Sequence, residues 1–67
     1  MNPTTQEYEM LDERGAADLL GLKPATLRQW RMQERGPAFV RMQRTIRYRR
    51  EDLLAYLNAA IVTPSTR

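Results

Sequence analysis

The 67 residues suffice for one small domain; 42% are apolar, with no cysteine and no histidine. Disulfide frameworks, zinc sites built from thiolate or imidazole, and the usual general base are therefore excluded. So short a chain also leaves little room for a water-excluding catalytic pocket, so neither enzymatic activity nor a metal or cofactor is expected. The net charge of +3 is unevenly spread: residues 23–50 hold Lys23 and eight arginines against Glu34 alone, whereas residues 1–22 hold five acids against Arg14.

In chain order, residues 1–9 lack apolar periodicity, contain Pro3 and read as a flexible arm. Leu11 to Leu20 predicts a short helix, with Asp12 as N-cap, Glu13 in the first turn, and Ala16, Ala17, Leu19 and Leu20 as the apolar stripe. Gly21 ends it where the chain can turn left-handed without a Cβ penalty. Lys23-Pro24 opens a second helix, since proline at the first helical position gives up no hydrogen bond. Leu27 and Trp30 share its buried face, and Gly36-Pro37 is the expected stop. Two short helices about a glycine turn form a helix-turn-helix.

Beyond Pro37 the period changes to alternation, which predicts a β-hairpin over 38–49 turning near Gln43-Arg44. Val40, Met42, Ile46 and Tyr48 are expected on one side of it, and Arg41, Arg47 and Arg49 on the other. A third helix is expected from about Arg50 to Ala60, with Glu51 and Asp52 in its first turn and Leu53, Leu54, Leu57 and Ile61 buried. The predicted architecture is mostly α with a small β-hairpin, a winged helix-turn-helix over 10–61, followed by a disordered tail at 62–67.

A cationic run is ordinarily a solvated face. Here ten of eleven cations are arginine, which forks onto phosphates and guanine edges better than lysine does. A local excess of +8 is self-repulsive unless an anion completes it. Nucleic acid is preferred to a membrane surface, because the basic segment lacks the broad apolar face of an interfacial helix. No apolar run approaches the ~20 residues of a membrane span. Glu7 and Glu9 stand where a signal peptide carries its apolar stretch, so a cytoplasmic, nucleoid-associated protein is expected.

The spacing from Ala17 to Gly21, Leu27 and Trp30 is what two closely crossed helices require: a small residue at the crossing, a glycine at the turn, and apolar residues that lock the second helix down. The runs LLGLKPATLRQW (19–30) and GPAFVRMQRTIRYRREDLLAYL (36–57) resemble the small winged-helix proteins of the excisionase and AlpA-like group, relatives of the MerR DNA-binding domain. The resemblance covers about Met10 to Leu57. It implies binding to double-stranded DNA, with the second helix in the major groove and the hairpin wing against backbone or minor groove. It also implies one of two roles. The first is a recombination directionality factor that binds direct repeats, bends DNA and promotes excision with an integrase. The second is a small transcription regulator at a promoter. The excision role is the first expectation, with an integrase or recombinase as partner and cooperative self-association on DNA. A winged helix docking an acidic protein partner is the third reading. Two positions depart from the group: Met42-Gln43-Arg44-Thr45 at the wing tip, where relatives often have glycine, and Lys23, where they usually carry Ser or Thr.

With Leu27 and Trp30 buried, the helical wheel puts Ala25, Arg28, Gln29 and Met32 toward a groove. Arg28 is the first candidate for base readout, through guanine O6 and N7, and Gln29 the second, through adenine. Lys23 and Thr26, near the helix N-terminus, are candidates for phosphate. Arg31 borders the buried face, open to a phosphate contact or to an internal salt bridge with Glu34 or Asp18. In the wing, Arg41, Gln43, Arg44 and Arg47 are candidate contacts to phosphate or minor groove. Arg49 and Arg50 adjoin Glu51 and Asp52, which leaves a structural ion pair and a nucleic-acid contact equally open for them. Trp30, Phe39 and Tyr48 read as core or wing packing. Among the aromatics only Tyr8 falls outside the expected fold, which argues against recognition of single strands by stacked bases.

Overall fold

A computed structural model describes residues 9–64. The expected N-terminal arm through Tyr8, and the end of the tail at 65–67, lie outside the described residues. The elements are β1 (Met10–Leu11), α1 (Glu13–Leu20), α2 (Pro24–Met32), β2 (Val40–Met42), β3 (Thr45–Arg49) and α3 (Arg50–Ala60). Together they make a winged helix-turn-helix.

Local chemistry accounts for the two helices of the motif. The Asp12 side chain accepts from Gly15 N at 2.8 Å, so α1 begins at Glu13, leaving Leu11 to a strand. Gly21 closes α1 at φ 74°, with Leu22 N donating to Ala17 O (2.8 Å) and Gly21 N to Asp18 O (3.2 Å). These are the two bonds of a Schellman motif. Pro24 opens α2 as expected, but the helix stops at Met32, before Gly36-Pro37. Glu34 takes the left-handed position (φ 59°), and Arg35 N donates to Trp30 O (2.9 Å) while Glu34 N donates to Arg31 O (3.1 Å). The same motif thus closes α2 on a glutamate. Gly36 serves a different purpose. At φ 94° its backbone lies against the Trp30 indole, where an added Cβ would sit 2.7 Å from Cε3.

The three strands form one antiparallel sheet in the order β1-β3-β2. Strand β1 has no local signature; its two residues are strand because Met10 pairs with Arg49 and Leu11 with Tyr48. The hairpin register corrects the expected facing. Met42 pairs with Thr45, Arg41 with Ile46 and Val40 with Arg47 across a two-residue turn, for which Gln43 takes φ 59°. Paired residues share a face, so Arg41 lies with Ile46 and Tyr48, while Val40 and Met42 lie with Arg47. The expected side with Val40, Met42, Ile46 and Tyr48 together would require an odd-length turn.

The core is Ala16, Ala17, Leu27, Tyr48 and Leu53, all fully buried, with Leu11, Leu19, Leu20, Leu22, Trp30, Phe39 and Ile46 packed around it. Ala17 and Ala16 leave room for α1 to approach α2 and α3. On α3 the inward stripe is Leu53, Tyr56 and Leu57, because the Tyr56 ring packs on Trp30 at 6.0 Å between centroids. The expected burial of Leu54 and Ile61 does not occur; they are 40% and 67% exposed.

Candidate nucleic-acid interface

Leu27 is fully buried and Trp30 half-buried, and together they fix the rotation of α2 on the core. Ala25, Arg28, Gln29 and Met32 consequently point outward, as the helical wheel predicts. Lys23 is exposed at the N-cap with no side-chain cap of its own, and Thr26, half-buried, donates its backbone N–H to Lys23 O at 2.9 Å. The N-terminal amides of α2 and these two side chains are suited to an anion.

The wing completes the face through its inner surface. A crevice of about 220 Å³ between α2 and the hairpin is lined by Arg28, Arg31, Met32, Arg41 and Ile46. Register brings Arg41 here, and its guanidinium lies 5.6 Å from the centre of the Phe39 ring. Gln43 and Arg44 are exposed at the turn. Arg47 is separated from this group. It lies on the opposite face of the hairpin, beside a hollow lined by Glu9, Met10, Leu11, Asp12 and Gly15, and donates to Ile46 O at 2.8 Å.

Arg31 is an internal residue, paired with neither Glu34 nor Asp18. Its side chain is only 15% exposed; Nη1 donates to Tyr48 Oη at 2.8 Å and lies 3.1 Å from Glu13 Oε2. Burial alone would lower its pKa, but the hydrogen bond to Tyr48, followed by the neighbouring Glu13 carboxylate, raises it above the ordinary arginine value. Glu13 Oε2 is shielded from solvent, and the Arg31 contact meets the distance of an ion pair without the alignment of a hydrogen bond. The other oxygen, Oε1, accepts from Arg28 Nη2 at 3.2 Å. Glu13 was legible in the sequence only as a first-turn charge. Its partners are a different helix's residues, so no local spacing announces them.

The remaining arginines sort by partner. Arg49 holds Asp52 bidentately (2.7 and 3.0 Å) and meets Glu51 at 3.3 Å, the ion-pair member of the two alternatives left open for it. Arg50 reaches Glu9 at 3.9 Å, not the neighbouring acids, and its backbone N–H donates to Glu9 O. Arg35, which sequence reasoning passed over, lies 5.2 Å over the Trp30 ring and forms part of a second cleft, of about 560 Å³, with Arg31, Phe39 and Arg41. Among the described residues, Arg14, Lys23, Arg35, Arg41, Arg44 and Arg47 meet no carboxylate within ion-pair distance. No group of three or more acids could hold a metal there, and no helix is long and apolar enough to cross a membrane.

A family profile described as a helix-turn-helix domain matches residues 10–60, most of the chain. The chain belongs to the helix-turn-helix domain family. It is also similar to a protein named transcriptional repressor DcmR from Methylorubrum extorquens (strain DSM 6343 / CIP 106787 / DM4), with 42% identity over 60 residues. That alignment covers 88% of this chain and 23% of the relative, so the helix-turn-helix module spans under a quarter of the longer protein. No solved structure matches the chain significantly.

Proposed function

We propose that this chain binds double-stranded DNA in a sequence-dependent manner, without a catalytic step, and regulates transcription from the sites it covers. One observation carries the reading: the solvent face of α2 presents Arg28, Gln29 and Ala25 beside the arginine-lined inner face of the wing. An α-helix fits the major groove, and these side chains match its edges: Arg28 a guanine, Gln29 an adenine, and Ala25 a close approach or a thymine methyl. Lys23, Thr26, Arg41, Gln43 and Arg44 hold the backbone and set register without specifying sequence. Membership of the helix-turn-helix family supports the binding mode, and similarity to a protein named as a transcriptional repressor supports the regulatory role. In this proposal the binding unit spans 10–61 and works on chromosomal DNA in the cytoplasm.

The resemblance of 19–30 and 36–57 to excisionases supports a second reading, with cooperative binding to adjacent direct repeats and an integrase as partner. A module of this size covers only ~600–1,000 Å² of its own surface on DNA, so neighbours on the duplex would add needed affinity. Capture of sheared genomic DNA from the source organism, followed by sequencing, separates the two. Enrichment at promoters supports the regulator; clustered repeats beside an integration junction replace it with the excision factor. Retention no better than bulk DNA overturns sequence-dependent binding. On the enriched site, Arg28→Ala is expected to cost roughly 1–3 kcal/mol and to relax preference at one base pair. Equal loss on all duplexes would make Arg28 a phosphate contact.

A further inference from the structure

Glu13 belongs to α1, yet its carboxylate is shared between two arginines of α2, one turn apart. Oε1 meets Arg28 Nη2 at 3.2 Å and Oε2 meets Arg31 Nη1 at 3.1 Å. The two arginines differ in freedom. Arg31 is largely buried and held by Tyr48, whereas the Arg28 side chain is 56% exposed on the groove face. The Arg31 side of the carboxylate is therefore anchored, and the Arg28 side is a fixed point to which a mobile side chain is tied.

We propose that Glu13 is a specificity-determining positioning residue, which holds Arg28 for a guanine edge and weakens its pairing with phosphate. The inference rests on the DNA-binding reading above. Arginine has five N–H donors, so a single contact through Nη2 leaves enough for the two acceptors of guanine. A guanidinium held at one corner also loses less rotational freedom when it meets the base. The charge acts selectively. Guanine O6 and N7 are neutral acceptors, whereas a phosphate is an anion competing with the carboxylate for the same cation. Glu13 therefore penalises sequence-independent contact more than base readout. The same carboxylate that orders Arg28 thus lowers the background of wrong sites.

The test compares wild type and Glu13→Gln on two duplexes of equal length, one enriched from a random pool by the wild-type protein and one scrambled. Glutamine keeps the shape and one acceptor oxygen but removes the charge. Binding to the scrambled duplex should tighten by about threefold to fivefold, the value of one lost surface pair, while the enriched duplex gains less or loses affinity. The salt slope on the scrambled duplex should steepen by about 0.9, as Arg28 becomes one more phosphate contact. In an Arg28→Ala background the same substitution should leave discrimination unaltered. A fall in affinity equal on both duplexes, with an unchanged slope, overturns the proposal and leaves Glu13 as a tether between helices. Should Glu13→Gln fail to fold, nitrogen NMR on the free wild-type protein decides: the Arg28 Nη groups should rotate more slowly than those of exposed Arg44, and equal rotation overturns the inference. A wild type that selects no sequence from the pool overturns the DNA reading itself, and this inference with it. A preference that Glu13→Gln leaves undiminished overturns this inference alone.

Discussion

Replacing Arg31 by methionine tests whether this cation serves the fold or the DNA. The substitution keeps an apolar stem of similar length beside Phe39, whose ring centre lies 5.8 Å from the guanidinium, and removes the polar head. Tyr48 is fully buried, and its hydroxyl loses a donor at 2.8 Å. An unsatisfied buried hydroxyl costs about 1–3 kcal/mol. Glu13 Oε2 loses its cation at 3.1 Å, but Arg28 stays at Oε1 and the Glu13 side chain keeps 24% exposure, so this part falls well below a fully buried broken pair, about 1 kcal/mol. The expected loss is therefore about 2–4 kcal/mol against the ~3–5 kcal/mol that a core of this size supplies.

Thermal and urea unfolding followed by circular dichroism should show Arg31→Met marginally folded, with a midpoint lowered by more than ~10 °C. Tyr48→Phe, which leaves Arg31 its Glu13 pair and some water, should lose only about 1 kcal/mol. The sign of the Arg31 pKa shift fixes the pH behaviour. A raised pKa means that the stabilisation is complete below arginine's ordinary value and is lost only in alkali above it, so the deficit of Arg31→Met should be constant from about pH 5 to pH 9. Unfolding within ~0.5 kcal/mol of wild type, together with weakened DNA binding, would refute the internal assignment and return Arg31 to the phosphates.

Gly36→Ala and Gly21→Ala form a matched pair. Both have positive φ, but a Cβ at Gly36 meets the Trp30 indole at 2.7 Å and one at Gly21 meets nothing within 4 Å. Urea unfolding should give losses of about 2–4 kcal/mol for Gly36→Ala and about 1 kcal/mol for Gly21→Ala, and equal losses would refute the contact with Trp30. On duplex DNA, Lys23, Arg35, Arg41 and Arg44 acting as four phosphate contacts give a slope of log affinity on log salt near −3.6; a slope flatter than about −2 would refute an extended phosphate track. Arg41→Ala should flatten that slope by about 0.9 and Arg47→Ala should leave it unchanged, with the reverse result contradicting the wing's facing.

The parts of the molecule that were legible in the sequence are those set by neighbours along the chain. Asp12, Gly21 and Pro24 each act within one turn of their own position, and they place both helices of the motif. The outward set Ala25, Arg28, Gln29 and Met32 follows once Leu27 is known to be buried, because a helix has one period. What was not legible depends on pairing between distant segments. Strand β1 exists only because Tyr48 and Arg49 pass beside it. Arg31 ignores the acids expected to pair with it, Glu34 and Asp18, because α1 and β3 bring Glu13 and Tyr48 nearer. Tyr56 displaces Leu54 and Ile61 from the buried stripe because Trp30 offers it a ring to pack on.

The wing shows how a small geometric choice determines the chemistry of the interface. Arg41, Arg47 and the apolar residues between them alternate identically whether the turn has two residues or three, so alternation alone leaves the facing of the first strand undecided. A two-residue turn pairs Arg41 with Ile46 and sends it toward Arg28 on α2; a third residue would pair Val40 or Met42 there instead. The turn observed has no glycine, and Gln43 adopts the positive φ that glycine takes most readily. The strained turn is stabilised by what it aligns: Ile46 and Tyr48 must face the core, and Arg41 then has only one side on which to emerge. The positive charge in the crevice between helix and wing is thus a consequence of core burial acting through strand register, and an insertion at 43–44 would turn Arg41 away while leaving the composition of the wing untouched.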